Sequence, residues 1–138
     1  MAVGVRVKCP NCGHVMNLAG DSTCPKCSAP LSENAYRGEG MVQLYRMGSP
    51  IGVAVGYGLY LDDAPMGHLA NTETVFIPVS FGQHKLHVTC GMTRRCQDLI
   101  FTVSPEKPHI CAKARIKAGF WSNTVIVEEA APSEMPAV

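Results

Sequence analysis

Four cysteines near the amino end constrain this chain more than any other feature of its sequence. They form two Cys-Pro-x-Cys turns, Cys9-Pro-Asn-Cys12 and Cys24-Pro-Lys-Cys27, separated by eleven residues. A segment this short cannot bury enough apolar surface to offset the entropy of ordering its backbone, so it needs a cross-link. Each turn presents two thiolates on one side of a tight loop, and two such turns supply the four tetrahedral ligands of Zn²⁺. The spacing therefore predicts one structural zinc ion at Cys9, Cys12, Cys24 and Cys27.

The residues around these cysteines suit such a site. The proline after the first cysteine of each turn fixes φ and bends the chain, and Gly13 suits a following position that often requires a positive φ. Ser28 takes the place of that glycine in the second turn, so we expect a less relaxed backbone there. Lys8 and Lys26 would offset part of the negative charge of four thiolates around a dication. His14 could replace a ligand in principle, but we favour a solvated ring.

Residues 7–28 resemble the zinc ribbon, in which two knuckles of the form Cys-Pro-x-Cys-Gly sit on short β-hairpins. Three alternatives compete with zinc at this motif. A redox dithiol normally occurs once and opens a helix of a βαβ unit, which this sequence lacks. An iron site of rubredoxin type usually has its two halves further apart and packed with aromatic residues, and residues 1–33 contain none. Disulfides would require an oxidising compartment. We favour zinc over all three.

Composition limits the remaining possibilities. A chain of 138 residues can hold one domain of ordinary size beside the metal module, and its net charge of +1 argues against wholesale electrostatic binding to nucleic acid or membrane. No amino-terminal stretch resembles a signal peptide, and no apolar run is long enough to span a bilayer. Seven cysteines suit a reducing cytoplasm, with Cys90, Cys96 and Cys111 as thiols. We favour that reading over a second metal cluster of these three with His87 or His109.

Alternating apolar residues and regularly spaced turns predict a mainly β protein. We expect a zinc ribbon over residues 1–33, a linker over 34–40, an antiparallel β-sandwich or partly open barrel of seven to eight strands over 41–130, and an acidic, proline-containing tail over 131–138. The predicted strands lie at 41–47, 53–61, 66–69, 74–79, 84–90, 97–103, 108–117 and 120–127. In the second of these, Gly56 and Gly58 suggest a bulge or the close approach of another backbone.

Residues 53–90 resemble the PEGA-like small β-sandwich. The resemblance rests on the turn and glycine in Leu-Asp-Asp-Ala-Pro-Met-Gly-His-Leu and on the run Gly82-Gln-His84-Lys-Leu86-His-Val88. The combination of a zinc ribbon with such a sandwich is similar to a group of small bacterial proteins. It implies an accessory or binding module and carries over no catalytic residues.

Catalytic signatures are missing from the sequence. Asp62-Asp63 is a paired carboxylate within the predicted fold, and its context predicts a β-turn, in which aspartate serves by its side-chain hydrogen bonds. No nucleophile elbow, phosphate-binding loop or dinucleotide fingerprint occurs. We therefore expect a non-enzymatic protein.

A basic surface is the remaining candidate site, and its members are Arg94, Arg95, Lys113, Arg115 and Lys117. The last three alternate along one predicted strand and so share a face, which could bind an acidic partner or the phosphates of a nucleic acid. We favour a solvated face balanced by nearby glutamates. The sequence thus predicts a zinc-binding module for protein interaction or self-assembly, with a protein partner or homo-oligomer, and nucleic-acid binding as the alternative.

Overall fold

The amino-terminal segment folds as two small antiparallel hairpins. The computed structural model describes residues 4–36, 39–48, 56–90, 95–119 and 123–136. The first hairpin pairs β1 (Val5–Lys8) with β2 (Val15–Leu18), and the second pairs β3 (Asp21–Thr23) with β4 (Pro30–Ser32). Each Cys-x-x-Cys turn lies at the tip of one hairpin. One helical turn, α1 (Glu33–Tyr36), follows.

Nine strands make up the two larger sheets of the described residues. They are β5 (Gly40–Arg46), β6 (Tyr57–Leu61), β7 (Ala64–Leu69), β8 (Thr74–Val79), β9 (Gly82–Thr89), β10 (Arg95–Gln97), β11 (Leu99–Val103), β12 (His109–Lys117) and β13 (Thr124–Glu129). One sheet has the order β10-β13-β12-β5-β8 and the other β11-β9-β6-β7. The edge strands β8 and β7 lie on one side of the two sheets, where β1 contacts both, and β10 and β11 lie on the other.

The mainly β fold class is confirmed, with two corrections. Over the described residues the two larger sheets contain nine strands rather than seven or eight, because the stretch predicted as one strand over 97–103 divides at Asp98 into β10 and β11, which belong to different sheets. The Asp98 carboxylate, 2.6 Å from His87 Nδ1, anchors the chain where it crosses. Pairing is also not wholly antiparallel, since β12 runs parallel to β5 and β10 runs parallel to β13.

The main core lies between these two sheets. Strand β8 shows how the sequence builds it: Val75, Ile77 and Val79 are buried, and the residues between them are only half-buried. Strand β9 likewise buries Leu86 and Val88, as its alternation predicts. Burying a side chain of this size contributes about 1.5–3 kcal/mol, so the period of two largely determines which faces meet.

A second, smaller core belongs to the two amino-terminal hairpins, residues 5–32, which we call the ribbon. Val5, Val7 and Leu18 are buried there beside the cysteines, and Met41 of β5 and Phe76 of β8 pack against them. The ribbon is thus in contact with the larger sheets.

Several predictions remain open at this level. The division at 33/34, 40/41 and 130/131 stays a prediction; α1 spans 33–36, and a single 3₁₀ turn occupies Pro132–Glu134. The first part of the predicted strand 53–61, the start of 120–127 and Arg94 lie outside the described residues. Among the helices that the structure describes, none is long and apolar enough to cross a membrane.

Candidate metal centre

The two knuckles have the same backbone geometry. In each, the N–H of the first cysteine donates to the carbonyl five residues on, and the N–H four residues on donates back to the cysteine carbonyl. These bonds are 2.8–2.9 Å long and involve His14 and Gly13 in the first knuckle, Ala29 and Ser28 in the second. Gly13 has φ +79° and Ser28 has φ +65°. The expected positive φ is therefore present at both positions, and the second carries it on a residue with a Cβ.

The four predicted ligands come together. All four Sγ atoms lie within 4.8 Å of one another, with Cys9 and Cys27 3.7 Å apart and Cys12 and Cys24 3.6 Å apart. A tetrahedral ion with metal–sulfur bonds of about 2.3 Å would hold its sulfurs about 3.8 Å apart. Cys9 and Cys24 are buried and the other two are half-buried. The four cysteines therefore form a cluster that could hold a metal ion.

Two of the thiols differ in proton affinity without a metal. A backbone hydrogen bond at His14 lowers the pKa of Cys12, but desolvation and hydrogen bonds to the other three thiols raise it by more, to about 12. Hydrogen bonds from the Asn11 side chain and the Ala29 backbone lower the pKa of Cys27 to about 6. Without a metal, the four crowded thiols therefore carry few negative charges in total. A bound dication favours the thiolate form of all four.

The remaining cysteines lie apart from this cluster. Cys90 and Cys111 are buried, and Cys96 is half-buried beside the main core. Burial raises the pKa of both Cys96 and Cys111. Within the part of the chain that the structure describes, the four amino-terminal cysteines are the one group of three or more residues placed to hold a metal.

The paired carboxylates occupy a turn. Asp62 and Asp63 form the two-residue loop between β6 and β7, with φ +50° and +68°, the signs of a type I′ hairpin turn. The Asp62 carboxylate accepts from the Lys85 N–H at 2.8 Å and lies 2.6 Å from His84 Nδ1, while Asp63 pairs with Lys85 Nζ at 2.8 Å.

Sequence reasoning missed this Asp62–His84 pair, although the acidic turn and the Gly-x-His run were its signal. With Ser80 Oγ 3.4 Å from His84 Nε2, the three side chains resemble a hydrolytic triad. However, Nε2 also lies 2.8 Å from the Ser80 carbonyl oxygen, a bond in which the ring must be the donor. The nitrogen that donates to this carbonyl carries a proton, so Nε2 has no lone pair to accept one from Ser80 Oγ.

Two residues of the basic surface are paired with acids. Lys113 lies 2.7 Å from Glu134, and Arg115 lies 2.8 Å from Glu128. Arg95 and Lys117 are exposed and stand on either side of Thr124 in one row of the sheet. The structure therefore brings four of the five predicted residues into one sheet, on β10 and β12 with β13 between them, and places glutamates beside two of them.

Comparisons with known proteins do not place this chain in a family, so its class is described from its fold and its site. No protein family, curated protein or solved structure matches this chain. The resemblances to the zinc ribbon and the PEGA-like sandwich therefore stay predictions. The fold and the site define a mainly β protein with a four-cysteine cluster that could hold a metal ion.

Proposed function

We propose that this chain is a non-enzymatic zinc-binding module for protein interaction or self-assembly. The observation that carries the proposal is the convergence of four Sγ atoms within 4.8 Å at the tips of two hairpins. Four thiolates complete the tetrahedral shell of Zn²⁺ and leave no position for water or substrate, which is the pattern of a structural site. Bound zinc would supply the cross-link that a ribbon with so small a core needs.

Metal analysis tests the zinc assignment. We expect about one zinc per chain after purification without added metal, and a Co²⁺-substituted protein should show the absorption bands of a tetrahedral four-thiolate centre. Cys27→Ser should lower the metal content at least about tenfold at a fixed chelator concentration. Cys96→Ser is the matched control, because Cys96 is also half-buried but lies outside the cluster. Iron in place of zinc, or Cys27→Ser with unchanged metal content, would contradict the assignment.

The second part of the proposal concerns the sandwich as a binding surface. Strand β11 is an edge strand, and Ile100 on it is 61% exposed. Its five residues contain no proline or lysine, the residues that commonly protect an edge from pairing. These features support strand pairing at β11 with another protein or a second copy of this chain.

Light scattering over a range of concentrations, together with a pull-down, tests this surface. We expect association that Ile100→Lys weakens at least about tenfold, since a charge on the edge strand opposes pairing. Met47→Lys is the control, because Met47 is also an exposed large apolar residue but follows β5. A protein that stays monomeric at high concentration and retains no partner would contradict the interaction role.

Nucleic-acid binding is the alternative function. The exposed row of Arg95 and Lys117 favours it, whereas the glutamates paired with Lys113 and Arg115 weigh against it. Binding should fall steeply with salt and disappear when Arg94, Arg95, Lys113, Arg115 and Lys117 are neutralised. No retardation of DNA or RNA at low salt would eliminate this alternative.

We further propose a cytoplasmic location, since none of the seven cysteines forms a disulfide in the structure. The non-enzymatic assignment has its own test. Metal-free protein that exchanged disulfides at physiological rates would overturn it.

A further inference from the structure

A buried arginine joins the ribbon to the larger sheets. Arg6 on β1 is 6% exposed, and its Nη1 donates to the carbonyl oxygens of Met66 and His68 at 2.9 Å each. Its Nε donates to Asn17 Oδ1 at 2.6 Å, and Nη2 lies 3.6 Å from Glu73 Oε2. A buried guanidinium is tolerated only where such partners surround it. Arg6 therefore depends on groups from both parts of the molecule.

The carbonyls that Arg6 contacts belong to a sheet edge. Met66 and His68 lie on β7, the outer strand of the four-stranded sheet, and have the guanidinium where a further strand would pair. Beside it, Phe76 of β8, the outer strand of the five-stranded sheet, packs against the ribbon core. The ribbon thus covers β7 and β8 on one side of the sandwich, opposite β10 and β11.

The approach of Arg6 to β7 is close. Gly67, between the two accepting residues, has φ +83°, and a Cβ built on it would lie 2.9 Å from Arg6 Nη1. Any side chain there would displace the guanidinium. Glycine at this position therefore permits the contact. This supports a specific contact between the ribbon and the edge of β7.

The position of β1 links this cover to the cysteines. Strand β1 ends at Lys8 and leads directly into Cys9, and the ribbon core consists of a few apolar residues around the cysteines. A core of this size does not hold two hairpins in place without a cross-link. We propose that metal loading of the four-cysteine site holds the ribbon over β7 and β8, and that metal loss releases the ribbon and exposes the edge of β7 and the outer face of β8. This proposal rests on the metal binding proposed above.

Hydrogen exchange of the whole chain, with and without chelator, tests whether metal binding holds the ribbon over β7 and β8. Peptides covering β7 (Ala64–Leu69) and β8 (Thr74–Val79) should exchange at least about tenfold faster after metal removal. Peptides from β9 and β12 inside the sheets should change by less than about twofold. Acceleration across the whole chain, or none at β7 and β8, overturns the proposal while the measured metal content still supports the site. Protein that binds no metal overturns both.

An Arg6 variant separates the contact from the metal. Arg6→Met should keep about one metal per chain and yet exchange at β7 and β8 nearly as fast as the metal-free protein. Arg115→Met is the matched control, because Arg115 lies on β12 and pairs with Glu128. Should Arg6→Met not fold, Arg6→Lys gives a second test, since one ammonium cannot bond the two carbonyls, Asn17 and Glu73 together as the guanidinium does. Metal-loaded variants that protect β7 and β8 as fully as the wild type would overturn the proposal.

Discussion

Ser28 and Gly13 occupy equivalent positions in the two knuckles at different energetic cost. Both have a positive φ, at +65° and +79°. A residue with a Cβ is strained in this region by about 1–2 kcal/mol, whereas glycine adopts it freely. The second knuckle therefore has backbone strain that the first does not, and Cys24 and Cys27 belong to that strained knuckle.

The variant Ser28→Gly should stabilise the metal-loaded protein by about 0.5–1 kcal/mol, the relief of strain less the extra entropy of an unfolded glycine. Ser28 is exposed, so the change leaves no cavity. Denaturant unfolding in excess zinc measures the effect. Ser28→Ala keeps the Cβ and should give no gain. An equal gain from both variants would show that the serine hydroxyl, rather than the backbone, was unfavourable.

At the scale of elements, the Asp62–His84 pair ties the β6–β7 turn to β9. Desolvation lowers the pKa of His84, but hydrogen bonds to Asp62 and Ser80 raise it by more, so it lies above 6.5. Desolvation raises the pKa of Asp62, but bonds from His84 and the Lys85 N–H bring it below 3.8. The turn is therefore joined to its neighbouring strand by a pair that is charged on both sides in mildly acidic solution.

Because of this pair, we expect the free energy of unfolding to pass through a maximum as pH is varied. The raised pKa of His84 contributes stability that is complete below pH 6.5 and is lost as pH rises through the folded-state pKa. The lowered pKa of Asp62 contributes stability that is present above pH 3.8 and is lost as pH falls through its folded-state pKa. Because Asp62 is about half exposed, the contribution should be below about 1 kcal/mol.

Melting temperatures between pH 3 and pH 8 measure this contribution. Asp62→Asn should reduce the loss of stability that this pair causes below pH 3.8 and above pH 6.5, and so flatten both flanks of the profile. Asp63→Asn is the neighbouring control, since Asp63 pairs with Lys85 rather than a histidine. Identical profiles for the two variants would assign the pH dependence to other groups.

The elements that the sequence predicted well are those whose burial follows a period of two. Strand β8 has its predicted bounds and β9 lies close to its own, because Val75, Ile77, Leu86 and Val88 must face one core. The break at Asp98 was missed, because alternation cannot show that one extended stretch serves two sheets. The cysteine cluster was predicted in full, since turn spacing alone places four sulfurs together.

At the scale of the whole molecule, alternation shows which faces are apolar but not which neighbour covers them. Arg6 follows the pattern of an outward-facing residue of β1, and nothing in its local sequence indicates carbonyl partners sixty residues away. Phe76 likewise alternates out of the main core and is half-buried only because the ribbon packs there. The contact between the two cores is therefore visible only in the folded chain.

Coupling between the two cores can be measured as an energy. Phe76→Ala should destabilise the metal-loaded protein by about 1–2 kcal/mol, less than the 3–5 kcal/mol typical of a fully buried phenylalanine. In metal-free protein the same variant should cost at least about 1 kcal/mol less, because a released ribbon no longer packs on Phe76. Phe101→Ala is the matched control: Phe101 is buried in the main core, so its cost should not depend on metal. Denaturant unfolding of the wild type and the two variants, each with and without zinc, measures these costs. Equal costs for Phe76→Ala in both states would mean that the ribbon stays seated on β8 without its metal.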